Sequence, residues 1–435
     1  MEERKHRLCN PKCDEAVTGV PGDPTDVGGG QGMRAASHAE LDSIRSRWAD
    51  FTLLTRVPHH AIWSVGTACN LQCRYCYESL PNTEREPAVA DVGKALAELL
   101  FRQWQFRSQL GIDRSPPSIH FFGGEPLLWF DEIVKTVEHG RSLHPAFGFG
   151  ITTNLTLMDR EKAEWMASRG FSFLCSIDGP EDVHDAFRVD KSGQGSWSRA
   201  MSGWVLLKAL SDRTEVRGTL MPQFADRVDE ILLFLEGLGG TGFVAYPAFE
   251  VEWDEEALRA AEDGLMRYAA HWIERFRRKR PPNSGNIRRC LQVFFGSGLE
   301  RGGPPCGRGD RVLGVRPDGG LVPCHRLTAC RGLPPAWHFG SVFSGIDLMR
   351  FRESISWDPK KLRPQANYDC NMCPARSTCN GHCIAANYQV TGSRYVVLKA
   401  ICDFELIYYR VGAMIAGIIR DPALRRWVQG GRGAC

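Results

Sequence analysis

Between residues 61 and 276 the chain alternates short apolar runs with amphipathic stretches, and nothing else in it constrains the fold so tightly. Residues 61–65, 118–122, 148–152, 171–177, 215–220 and 242–247 read as buried strands. Residues 89–104, 131–138, 159–168, 197–210, 227–238 and 254–276 carry helical periodicity. Strands linked through helices run parallel and connect right-handedly, so these repeats predict an α/β fold, a partial parallel (β/α)6 barrel. Functional residues are then expected at the strand C-terminal ends, where such a barrel gathers its loops.

The first strand leads directly into Cys69-Asn70-Leu71-Gln72-Cys73-Arg74-Tyr75-Cys76. Three thiolates hold only three irons of a cubane iron–sulfur cluster and leave the fourth open for chemistry. A structural zinc site closes four ligands, and an electron-transfer ferredoxin supplies four cysteines per cluster. The bland alternative is three buried or zinc-binding cysteines. Phe121-Phe122-Gly123-Gly124-Glu125-Pro126 ends the second strand, and its glycines permit close approach of backbone to a ligand. Thr152-Thr153-Asn154 ends the third strand and Ser176-Ile177-Asp178-Gly179-Pro180 the fourth, with His184 and Arg188 beyond. Arg217 and Thr219 lie on the fifth. Taken singly, these are equally a turn, a strand terminus and surface charges, and Cys175 reads as a small core residue.

A chain of 435 residues exceeds one ordinary domain, and its net charge of +3 is too mild for nucleic-acid or anionic-membrane binding. No apolar run reaches membrane-span length, the nearest being 411–419, and Met1-Glu2-Glu3-Arg4-Lys5 opens no secretory signal. The sixteen cysteines are therefore read as metal ligands in a reducing cytoplasm. Residues 1–58 are expected to be a mostly disordered extension, Cys9 and Cys13 being tail thiols. The barrel is assigned to 59–280, a loop-rich cysteine domain to 281–405, and a C-terminal helix and tail to 406–435. Nine cysteines fall between Cys290 and Cys402. Their order is Cys306, Gly319-x4-Cys324, Cys370-x2-Cys373-x5-Cys379-x3-Cys383 and Cys402, and Cys290 brings the set to eight. Two fully ligated cubanes need that number, and a pair of zinc knuckles is the alternative. Cys435 is read as unligated.

The triad, with an aromatic residue before its third cysteine, resembles the signature of the radical S-adenosylmethionine (SAM) enzymes. The later array resembles the SPASM extension of their peptide- and protein-modifying members. The resemblance implies three [4Fe–4S] clusters, one on Cys69, Cys73 and Cys76 that cleaves SAM to a 5′-deoxyadenosyl radical, and two auxiliary. It implies SAM contacts from Tyr75, Gly123, Gly124, Glu125, Asn154, Ser176, Asp178, Arg188 and Arg217. By the family's interleaved pattern Cys290, Cys306, Cys324 and Cys383 hold the first auxiliary cluster, and Cys370, Cys373, Cys379 and Cys402 the second. The interval from Cys290 to Cys306 departs from that of sulfatase maturases, which leaves Cys330, or an open iron, in competition with Cys290.

Such an extension implies a maturase of a ribosomally made peptide, partnered by that precursor and by an electron donor such as flavodoxin or ferredoxin. Thioether or carbon–carbon or carbon–oxygen crosslinking is the reaction class it suggests. Sulfatase maturases carry an aspartate base after the Gly-x4-Cys cysteine. His325 stands there instead and could itself take a proton, so formylglycine formation ranks second. A non-enzymatic iron–sulfur sensor or zinc adaptor is the reading from another class.

Overall fold

The computed structural model describes residues 48–430 except 49, 80–88, 297–310, 367, 380 and 382. The expectations for residues 1–47, Cys9, Cys13, Cys306 and Cys435 lie outside the described residues.

Six parallel strands form the framework: β1 (His60–Gly66), β2 (Ser118–Gly123), β3 (Gly148–Thr153), β4 (Ser172–Ser176), β5 (Thr214–Leu220) and β6 (Gly242–Pro247). Each follows its predecessor in space, and the helices between them are α1 (Val92–Gln109), α2 (Phe130–Leu143), α3 (Arg160–Ser168), α4 (Trp197–Leu210) and α5 (Val228–Gly237). A sixth, α6 (Glu255–Arg277), follows β6. Side-chain oxygens start two of them, Asp159 accepting from Lys162 N at 2.9 Å and Asp254 from Ala257 N at 2.8 Å.

Strand alternation sorts the two faces. Trp63, Ile119, Phe121, Ile151, Phe173 and Val216 are buried in the core. The rings of Phe121, Phe149 and Phe171 stack at centroid spacings of 5.8–6.1 Å. The intervening residues, His120, Phe122, Thr152, Ser176, Arg217, Thr219 and Tyr246, are less enclosed and share the other face. His120 Nε2 lies 2.7 Å from Thr152 Oγ1 across that face, and Ser176 is in register with Arg217. The inner face of the partial barrel is thus the more polar of the two and its outer face apolar.

Residues beyond 280 finish the sheet. β7 (Leu313–Val315) adds parallel to β1, and β8 (Leu321–Val322) pairs antiparallel with β7, giving the order β6-β5-β4-β3-β2-β1-β7-β8. At the far edge Asn286 imitates a strand: its Oδ1 accepts from Ala245 N at 2.9 Å and its Nδ2 donates to Ala245 O at 2.7 Å. Asn286 belongs to α7 (Gly285–Phe295), which the fading periodicity after 281 had concealed. Two further helices matter below, α8 (Ile384–Thr391) and α9 (Lys399–Ile418). The second starts before the expected 406 and carries Cys402.

The N-terminal expectation needs one correction. Residues 50–56 are helical, not disordered. The last turns of α1 hold them: Gln103 Nε2 donates to Leu54 O at 2.7 Å and Val57 O at 3.0 Å, and Phe51 meets Phe106 edge-on at 5.7 Å.

Candidate active site

The cysteine triad occupies the loop leaving β1, at the C-terminal end of the sheet. That loop is held from one side by backbone bonds to the segment after β4, Gln72 N to Val189 O at 2.7 Å and Arg74 N to Phe187 O at 2.9 Å. From the other side β2 presses against it: Gly124 N donates to Gly66 O at 3.1 Å and Glu125 N to Ala68 O at 3.0 Å. The approach explains both glycines. A Cβ on Gly124 would stand 2.3 Å from Ala68 O, and Gly123, at φ +127°, would put one 2.3 Å from Gly66 O.

Glu125 turns inward. Its carboxylate is buried and accepts from Thr153 Oγ1 at 2.8 Å, Asn154 N at 2.8 Å and Leu127 N at 3.2 Å, bracing the ends of β2 and β3 together. Burial pushes its pKa up to about 7 against the pull of those donors. Asn154 in turn bonds Asn70 Oδ1 at 3.0 Å and approaches Cys69 Sγ at 3.8 Å.

Asp178 is the second hub. It lies at the end of β4 and accepts from Arg188 Nε at 3.0 Å and Nη2 at 3.1 Å, from Thr219 N at 2.8 Å, and from the Tyr75 hydroxyl. The Arg188 guanidinium also stands 5.5 Å from the Tyr75 ring centroid. The Ser176–Arg188 interval therefore serves a bidentate buried ion pair. His184 is fixed beneath it, its Nδ1 accepting from Asp178 N at 3.4 Å and its Nε2 near Ser196 Oγ at 3.1 Å. Arg217 lies over the Tyr246 ring at 5.1 Å.

Burial raises the triad thiols, Cys69 to about 12 with Glu125 adding to it, and Cys73 to about 11, so cluster assembly there must displace protons. Cys76 moves in the same direction for the same reason. The residues fit a cubane better than zinc. Among the described residues, the one group of His, Cys, Asp or Glu with all its ligand atoms within 4.8 Å is His59, His60 and Asp113, toward the opposite end of β1. The triad thiols are thus spread wider than the roughly 3.8 Å between sulfurs that a tetrahedral zinc with 2.3 Å bonds requires. None of the described cysteines forms a disulfide.

The cysteine-rich segment reaches the same mouth. His325 sits 4.8 Å from the Phe122 ring, edge-on, and its Nδ1 is 3.9 Å from Cys324 Sγ. Burial, then the Arg217 and Arg326 cations, lower its pKa to about 3, so it is a neutral imidazole. Arg326 lies 4.0 Å over the Tyr77 ring, pairs with Glu250 and bonds Gln389 Oε1 at 3.2 Å. Sequence reasoning missed Tyr77, Arg326 and Gln389. The first two adjoin known motifs, whereas Gln389 carried no local signal.

Cys402 is an electrostatic neighbour of Cys370, Cys373 and Cys379, and Cys370 is one of Cys373. Cys324 and Cys383 border a separate small core containing Cys330. Cys290 is fully buried on α7, facing α9, with Arg289 and Glu405 as its charged neighbours. Cys175 is enclosed in the core.

A model of the Radical SAM superfamily matches residues 63–235. The serine-type anaerobic sulfatase-maturating enzyme of Klebsiella aerogenes is 26% identical over 363 residues, covering 78% of this chain and 84% of that enzyme. Native anSMEcpe with bound AdoMet and Kp18Cys peptide superposes at a TM-score of 0.66 with 17% identity, covering 86% of this chain and 99% of that one. Streptococcus suis SuiB bound to precursor peptide SuiA does so at 0.54 with 15% identity, covering 87% and 84%. These two likenesses establish a common fold. The superfamily match runs from β1 into α5 and so takes in the triad and both carboxylate hubs. On that ground, the chain carries a radical SAM domain over those residues.

Proposed function

We infer that this enzyme is a maturase of a ribosomally made peptide, introducing an oxidative crosslink or a related modification. The observation that carries the reading is the reach of the cysteine-rich segment into the barrel mouth, where His325 meets Phe122 and Arg326 covers Tyr77. A substrate at the triad then lies beside the auxiliary cysteines. The peptide-bound states of anSMEcpe and SuiB, which share this fold, support the same reading.

Cys69, Cys73 and Cys76 would hold the [4Fe–4S] cluster. When bound, the cluster and SAM supply a carbon radical able to remove an unactivated hydrogen. The chain's own residues prepare the place for it. Gly123 and Gly124 bring the β2 backbone against the triad loop, and Glu125 fixes the end of β3. Asp178 holds Tyr75 and Arg188 rigid, while the apolar outer face closes the site from behind. His325 is a neutral acceptor facing that space. Removing two hydrogens from a peptide leaves one proton and one electron to be taken up after hydrogen-atom abstraction. We assign the electron to the two cysteine sets beyond residue 280, read as auxiliary cubanes, and its initial supply to a flavodoxin or ferredoxin.

The test is anaerobic reconstitution with dithionite and SAM, expecting 5′-deoxyadenosine. Coexpression with a candidate precursor peptide should then yield a product lighter by two hydrogens per event. Absence of 5′-deoxyadenosine from fully loaded protein would sink the proposal. The likeness to the Klebsiella enzyme keeps formylglycine formation as a second reading. A carbonyl-reactive probe separates them, since a formylglycine product labels and a crosslink does not.

A further inference from the structure

At the end of the sheet away from the triad, β1 begins with His60, directly after His59, and the loop between α1 and β2 brings Asp113 to the same place. One ligand atom from each lies within 4.8 Å of those of the other two. His59 Nε2 stands 3.6 Å from Asp113 Oδ2, and Ser115 Oγ lies 3.3 Å from His59 Nε2 and 3.3 Å from His60 Nε2. The seat is built into the sheet. His60 is in register with Ser118 of β2, Ser118 N donates to His59 O at 3.2 Å, and the two imidazole rings are 4.2 Å apart.

Each donor is prepared for a cation. His60 Nδ1 lies 2.8 Å from Ser118 Oγ, the kind of oxygen to which a metal-bound imidazole donates its second N–H, and that bond leaves Nε2 bare. Asp113 Oδ1 accepts from Ser115 N at 2.9 Å and from Ser115 Oγ at 2.7 Å, so Oδ2 is left toward His59. His59 is 1% exposed and its Nδ1 is buried without a partner, so no bond on that side holds the ring against a small turn. Burial, then His60, lowers the pKa of His59 to about 4, and burial lowers that of His60, so both rings are neutral ligands at neutral pH. Against its own desolvation, the Ser115 bonds hold Asp113 below the usual carboxylate range, as an anion. Arg107 is the opposing cation, and its Nη1 is engaged with the carbonyl oxygens of Thr55 and Val57. Bonds of about 2.0–2.1 Å to zinc put tetrahedral donors about 3.4 Å apart, so the His59–Asp113 pair is already spaced for one and the wider separations close by small turns of the rings. The Asp113 side chain is 34% exposed, which gives water the fourth position.

We propose that His59, His60 and Asp113 form a binding site for a divalent ion of the zinc class, which staples the α1–β2 loop to the start of β1. Two imidazoles with one carboxylate take zinc ahead of iron(II) by the ordinary order of affinity. The seven residues of β1 put the site roughly 20 Å from the triad loop, so the ion's role is structural and stands apart from the radical chemistry.

The test adds zinc to the cluster-loaded full chain and to its His60→Gln/Asp113→Asn variant, then counts zinc and iron after gel filtration. Wild type should keep one zinc more per chain than the variant, with iron unchanged in both. Zinc should also raise the urea midpoint of wild type and not that of the variant. Ser118→Ala, which removes the oxygen behind His60, should weaken zinc binding by about 10–100-fold while leaving the zinc-free midpoint near that of wild type. Should the double variant fail to fold, Asp113→Asn alone, at a partly exposed loop position, should still lose the zinc-dependent rise. Equal zinc in wild type and variants places the metal on thiols and overturns the proposal. So does zinc taken up at the expense of iron, or a wild-type midpoint that zinc does not move.

Discussion

At the scale of single residues, the barrel mouth is organised around carboxylates that are already occupied. Asp178 is 2% exposed and its partner Arg188 11%, so each charge depends on the other. Replacing Asp178 by Ala strands a buried guanidinium, which typically costs about 3–5 kcal/mol. Urea unfolding of the apo protein should show that loss, and adding Arg188→Met should recover part of it. Asp178 was legible in the sequence as a strand-end residue, but its partners were not. Tyr75, Arg188 and Thr219 converge on it from three separate segments, and spacing along a chain carries no record of such convergence. Two buried histidines contribute to the pH dependence alongside His325, and against Glu125. Burial lowers His120 and His184 to about 4 from 6.5, so both are neutral in the fold while the unfolded chain takes up protons below 6.5. Their contribution to stability should therefore rise with pH from about 4 to 6.5 and level off above. A His120→Gln/His184→Gln double variant is expected to show a shallower acid slope in urea midpoints measured at pH 5 and 7.5.

At the scale of elements, the six barrel strands stood within one or two residues of their sequence boundaries, because each is a compact apolar run bounded by turn residues. The helices were also readable, although α1 continues five residues beyond its expected end. What escaped was the region after 280. There β7 and β8 are two or three residues long, too short to show alternation, and α7 begins with Gly285 after Pro281-Pro282, which reads as a break. The cysteines of that region were visible by count and order, but which of them meet depends on how α7, α8 and α9 pack. The α7–α9 contact is close enough to test. Gly412→Ala would force a methyl group to within 2.2 Å of the Cys290 carbonyl, and overpacking of this kind costs about 1–3 kcal/mol. The helices should separate, lowering the urea midpoint, whereas Ala at the exposed Gly417, which nothing crowds, should be neutral or slightly stabilising.

At the scale of the whole molecule, the expected boundary near Arg280 divides the sequence but not the core. Residues from 49 onward form one compact unit. The β1 edge is covered by β7, and the β6 edge is covered by Asn286, so both flanks of the six-strand sheet borrow their partners from the cysteine-rich part. The buried Arg289–Glu405 pair, 12% and 3% exposed, ties α7 to α9 across the same seam. A chain stopped after Arg280 would expose two long unpaired strand edges together with the apolar residues of β1 and β6 that they now protect. It should fail to fold as an independent barrel. The expected outcome is insoluble protein, or a soluble fraction without a cooperative urea transition, where the full chain gives one. A truncated chain that unfolded cooperatively with a midpoint near that of the whole protein would show the seam to be a dispensable contact. The dependence also bears on function, since a sheet that is complete only when the cysteine-rich part is seated cannot present the triad loop without bringing His325 and Arg326 to the mouth beside it.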